Sequence, residues 1–113
     1  MDLRKRRCVP CEGGVPKLGP EEQRRFGAEV PEWRVEGDRL LRSFAFGDFV
    51  QAMAFLNRVA AIAEDQGHHP DFCVHYRNVD MSLWTHAIGG LSENDYILAA
   101  MIDGVVGAEP AQR

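Results

Sequence analysis

The stretch EDQGHHPDFCVHYRNVDMSLWTH, residues 64–86, decides how the chain folds. Helical spacing holds up to Gln66, and Gly67 suits the left-handed residue that ends a helix. Pro70 then sends the backbone onward in an extended direction. Phe72, Val74 and Tyr76 alternate with Cys73 and His75, which is the period of a strand. After Arg77-Asn78, a second strand puts Val79, Met81, Leu83 and Thr85 on one face. Asp80, Ser82, Trp84 and His86 fall on the other, with His86 at the strand's end. The stretch reads as a helix end, a bend and a hairpin. It also carries all 4 histidines of the chain, and imidazole is the side chain best suited to moving protons near neutral pH.

Upstream, Asp48-Phe49-Val50-Gln51 has capping-box spacing and predicts a helix over 48–66. Its apolar residues, from Phe49, Val50 and Met53 to Val59 and Ile62, go almost all the way round. A helix with one face on a sheet should show a stripe, so a second apolar face predicts a second burial partner. The expectation is a homodimer or homotetramer with this helix in its interface. Further back, residues 33–36 and 40–46 flank Gly37-Asp38 as a β-hairpin. Arg42 breaks the alternation there and is expected at an edge, or reaching to solvent along its stem. Gly19-Pro20-Glu21-Glu22 starts a short outer helix carrying Phe26 and Val30 on one face. Residues 1–18 read as an extended arm. Its Cys8 and Cys11 could supply half a zinc site, but no second pair follows.

Downstream, Gly89-Gly90 frees the backbone for a turn, and Ser92 caps a last helix with Glu93 and Asp95 in its first turn. Tyr96, Ile97, Ala100, Met101 and Gly104 give that helix a buried side. The order helix, two strands, helix, two strands, helix predicts an α+β domain of two layers. These are a four-stranded antiparallel sheet and helices packed on one of its faces. The domain is expected over 19–106, followed by a loose tail over 107–113.

At 113 residues the chain is one domain by length, with room for one core. Its net charge of −4 speaks against holding nucleic acid by phosphate neutralisation. No apolar run could span a bilayer, and the N-terminal charges have no apolar stretch behind them as a secretory signal would. With 3 cysteines, an odd number, a reducing cytoplasm fits better than a disulfide framework.

The chemistry-bearing constellation is Glu64, His68, His69, His86 and Asp95. If the two hairpins pair through neighbouring edges, the bend at His68-His69 and the strand end at His86 lie close together. Imidazoles on two sides of one pocket are what general acid–base work needs. Three other readings compete. Adjacent His68 and His69 on a bend rarely point at one metal ion, and helical H-x-x-x-H spacing is absent. Each imidazole could instead be satisfied structurally by a local backbone group. Asp95 could be a helix cap, since S-x-x-D fits that role. No nucleophile stands out: Cys73 lies inside a strand with no base beside it. His75 points away from Phe72 and Val74 and is a bystander.

Glu64, then His68-His69-Pro70, Tyr76, His86 and Asp95 form a spaced pattern that resembles the pterin-4a-carbinolamine dehydratase family. The residues around Phe44 to Phe49, the run from Gly89 to Asp95 and the Cys8–Cys11 arm resemble it too, so the likeness spans nearly the whole chain. It implies dehydration of 4a-hydroxytetrahydropterin to the quinonoid dihydropterin, recycling the pterin of aromatic amino acid hydroxylases. His68, His69 and His86 would be the essential imidazoles, with Glu64 and Asp95 in support. No metal and no cofactor besides the pterin substrate is implied. Gly67, Trp84 and Thr85 would contact substrate, although many members carry a small hydroxyl residue where this chain has Trp84. Members are dimers or tetramers, and some are non-catalytic protein-binding cofactors or assembly factors.

Overall fold

The long helix sits where its spacing predicts. Asp48 accepts from Gln51 N–H at 2.8 Å, while the Gln51 side chain reaches one residue past the cap to the Gly47 N–H. The computed structural model describes residues 2–9 and 16–107, so Cys11 and the tail beyond Gly107 lie outside the described residues. Along the chain come α1 (Pro20–Gly27), β1 (Arg34–Glu36), β2 (Arg39–Ala45) and α2 (Phe49–Gln66). β3 (Asp71–His75), β4 (Asn78–Leu83) and α3 (Glu93–Gly107) follow. This is the α+β order that the periodicities predict.

The four strands form one antiparallel sheet in the order β1-β2-β4-β3. The two hairpins therefore meet through β2 and β4, with Leu40 opposite Leu83 and Phe44 opposite Val79. Residues alternate in burial along β4, so Val79, Met81 and Leu83 face the helices. Against them α2 buries Ala52, Phe55, Leu56 and Val59. The rings of Phe44 and Phe46 both lie within 4.9 Å of the Phe55 ring, centroid to centroid, and form the middle of the core.

Three expectations are corrected. Arg42 lies on the central strand β2 and faces the helices. Its guanidinium meets Asp103 at 2.6 Å and packs over the Phe44 ring. Asp103 also accepts from Trp33 Nε1 at 2.7 Å. Burial pushes the Asp103 carboxyl up, and the Trp33 hydrogen bond and Arg42 charge pull it back. The alternation broke because the core holds an ion pair there, which periodicity cannot signal. Second, β4 stops at Leu83 and His86 opens a 3-10 turn over His86–Ile88. Gly89, at φ 61°, folds the chain back so that Thr85 N–H bonds Gly90 O.

Third, helix α3 is covered on more sides than expected, and residues 2–9 of the arm form one of the covers. Leu3 is 0% exposed within the core, and its N–H bonds Glu29. Arg6 pairs with Glu93, and Arg7 reaches Asp65. Cys8 N–H bonds Gln66 Oε1 at 2.8 Å, while Val9 exchanges two hydrogen bonds with the Asn94 side chain. Covered by the arm, α1 and α2, helix α3 is buried nearly all round from Asn94 to Ala100, where one buried side was expected.

Candidate active site

The bend that carries the paired histidines is built by the end of α2. Gly67 takes φ 67°, which only glycine adopts freely, and the N–H groups of Gly67 and His68 both return to the Ala63 carbonyl. This fixes the direction in which His68 and His69 leave the helix. They leave differently. His68 turns inward, 6% exposed, and its Nε2 lies 2.6 Å from Asp95 Oδ1. His69 stays outside, where its Nε2 lies 2.6 Å from Glu64 Oε2.

Asp95 is fully buried at the start of α3. Besides His68 it accepts from Thr85 Oγ1 at 2.8 Å and from Ser92 N–H at 2.9 Å. Thr85 Oγ1 is also 2.7 Å from Ser92 Oγ. A buried carboxylate survives only with such partners. When Asp95 is ionised, His68 donates from Nε2, so the carboxylate sets both the tautomer and the ring orientation. Asp95 thus caps the helix start through Oδ2 while it meets His68 through Oδ1.

His86 reaches the same place from the other side, on the turn after β4. A cleft of about 430 Å³ is lined by Gly67, His68, His69, Pro70, Asp71, Trp84, His86 and Ala87. That lies within the size range of small-molecule sites. His68, His69 and His86 thus gather as the spacing suggested, and Gly67 and Trp84, which the resemblance implied, line the same cleft. Thr85 and Asp95 lie behind the wall, and Glu64 supports His69 from outside. His75 is elsewhere, 3.7 Å from Asp80 near the hairpin tip. Asp71 and Arg39 went unnoticed, and Ser92 was read only as a helix cap: they reach the site or its walls through strand register and a turn, which no spacing rule encodes. Among the described residues, no three His, Cys, Asp or Glu side chains are grouped to hold a metal ion. Nor is any helix among them long and apolar enough to cross a membrane.

Fold and cleft together define a small α+β domain with an imidazole-lined cleft. The family model described as Pterin 4 alpha carbinolamine dehydratase matches residues 16–105, and the chain belongs to that family. A relative from Rubrobacter xylanophilus, described as "Putative pterin-4-alpha-carbinolamine dehydratase", is 44% identical over 103 residues, covering 90% of this chain and 96% of the relative. One of the same description from Nitrosomonas eutropha is 46% identical, covering 90% and 91%. Among solved structures, a transcriptional coactivator/pterin dehydratase from Brucella melitensis matches with TM-score 0.77 and 29% identity. That match covers 80% of this chain and 98% of the other. A pterin dehydratase-like protein identified as a RuBisCO assembly factor in the alpha-carboxysome matches with TM-score 0.56 and 29% identity, over 66% and 87%.

Proposed function

We propose that this protein dehydrates 4a-hydroxytetrahydropterin by histidine acid–base catalysis. The observation that carries the proposal is the convergence of His68, His69 and His86 on one cleft, two of them backed by carboxylates. In the reaction, one of His68 and His86 gives a proton to the 4a-hydroxyl. The C–O bond breaks and its electron pair leaves with water. The lone pair of the adjacent ring nitrogen forms the new C=N bond, and the other imidazole takes the proton from that nitrogen. His69 holds the pterin, with Glu64 orienting it and Asp95 orienting His68. The backbone at Gly67 and Trp84 completes the substrate contacts, while Thr85 braces Asp95 from behind the wall. No metal or further cofactor is needed.

The test is dehydration of enzymatically generated 4a-hydroxytetrahydropterin. His68→Ala and His86→Ala are each expected to lose about 10²–10⁴-fold, and the wild-type rate should be bell-shaped in pH. A wild type no faster than these variants would favour the second reading, a protein-binding scaffold. The two relatives of known structure, one a transcriptional coactivator/pterin dehydratase and one a RuBisCO assembly factor, motivate that alternative.

The proposal includes a homo-oligomer joined through α2, a cytoplasmic setting and a working link to an aromatic amino acid hydroxylase. Val50 is 73% exposed, and Phe49 and Met53 beside it are also uncovered, which favours a further partner for this face. Light scattering at micromolar concentration is expected to give a dimer or tetramer mass, reduced by Val50→Glu. A monomer mass for the wild type would overturn the assembly.

A further inference from the structure

Of the three imidazoles around the cleft, His68 is held by Asp95 and His69 by Glu64. The His86 side chain makes no hydrogen bond or ion pair to any described residue, and it is exposed. What it touches is the indole of Trp84, with ring centroids 4.1 Å apart and planes inclined by 39°. An exposed imidazole without a partner spreads over several rotamers, so an aromatic neighbour at stacking distance decides where the ring stands.

Trp84 is itself fixed. The pairing of Leu40 with Leu83 places Arg39 of β2 beside it, and the pairing of Asp71 with Ser82 brings β3 alongside. The Arg39 guanidinium lies 4.4 Å from the centre of the indole. Trp84 Nε1 donates to Asp71 Oδ2 at 3.2 Å, and Arg39 reaches the same carboxylate at 3.7 Å. Strands β2 and β3 and the residue that follows β4 thus close a triangle of cation, indole and carboxylate on the sheet face away from the helices. The indole spends its stacking contacts on groups of this chain.

We infer that Trp84 is a positioning residue: clamped by Arg39 and Asp71, it is the shelf that aims His86 into the cleft, in the role that Asp95 fills for His68. This rests on the dehydratase reading only for what His86 does once aimed. A flat ligand is therefore gripped by the imidazoles and the backbone of the bend, and its affinity depends little on the indole.

The test compares full-length wild type with Trp84→Leu and Trp84→Phe. In the protein without substrate, the His86 Cε1–H proton resonance should be displaced by the indole ring current. The displacement should vanish in Trp84→Leu and largely persist in Trp84→Phe. In turnover, Trp84→Leu should lower kcat by about ten- to a hundredfold, the range that misplacing a catalytic group costs. Calorimetric binding of tetrahydropterin should change by less than about twofold, since positioning acts on kcat. Trp84→Phe should recover most of kcat. An undisplaced His86 resonance in the wild type, or loss of tetrahydropterin binding as large as the loss of kcat, overturns the inference. The resonance needs no substrate. A wild type that shows the displacement but no dehydration would remove the dehydratase reading and leave the shelf in place.

Discussion

Asp95 illustrates how much one side chain can hold. Replacing it by alanine leaves Thr85, Ser92 N–H and His68 without their acceptor in a fully buried place. The expected cost is about 2–4 kcal/mol of stability, read from denaturant midpoints, together with loss of activity. Asp95→Asn keeps the shape, so it should lose less stability while still lowering kcat. Tyr96, the next residue, poses the opposite case. Its hydroxyl is buried with no hydrogen-bond partner among the described residues. Burial, and then the nearby Asp95 charge, raise its pKa to about 12. A folded pKa above the unfolded value of 10.0 means that stability is fully present below pH 10. It is lost as pH rises through 12. Tyr96→Phe should therefore be neutral or stabilising by up to about 1 kcal/mol at pH 7, and should blunt unfolding above pH 10. A wild type whose melting temperature does not fall faster than the variant's between pH 10 and 12 would contradict this. At this scale the histidine cluster was legible because imidazoles are rare and stood close together in sequence. Asp71 and Arg39 were not, because ordinary polar residues acquire a role only when strand pairing sets their neighbours.

Helices and hairpins were the more legible level, since caps and periodicity are local. Asp48, Gly67 and the Gly37-Asp38 turn all sit where their chemistry suggests. Two misjudgements have one physical cause. Arg42 and α3 are shaped by partners far away in sequence: Asp103 for the first, the arm and α1 for the second. Local pattern reports how apolar a face is and does not report what covers it. The β3–β4 turn carries a specific prediction. Tyr76 opens the two-residue turn at φ 57°, the one non-glycine with positive φ among the described residues. That region costs an L side chain roughly 1–2 kcal/mol, less for asparagine. Tyr76→Asn should thus raise the unfolding free energy by about 1 kcal/mol, read from denaturant midpoints, provided the exposed ring is not part of a subunit contact. A loss of oligomer mass on the same substitution would locate the ring in the interface.

For the molecule as a whole, the arm matters most. Leu3 fills a fully buried position, so Leu3→Ala should cost about 2–4 kcal/mol, as much as a change in a central strand. Arg6, Arg7, Cys8 and Val9 touch Asp65, Gln66, Glu93 and Asn94, the residues just ahead of the bend that carries His68 and just ahead of Asp95. A polar, proline- and glycine-rich sequence gave no sign of this grip, because its value lies in the two helix ends it joins. Val9 and Asn94 are separated by 85 residues. Residues 3–9 are made well before α3 and must consequently wait for that helix before they can settle. Contacts so far apart form late in folding, since loop closure precedes their reward. In pulse-labelled refolding, the Leu3 and Val9 amides should gain protection from exchange after those of the β2–β4 pairing. Simultaneous protection would mean instead that the arm docks with the folding nucleus, and that the order of synthesis leaves no imprint on the order of assembly.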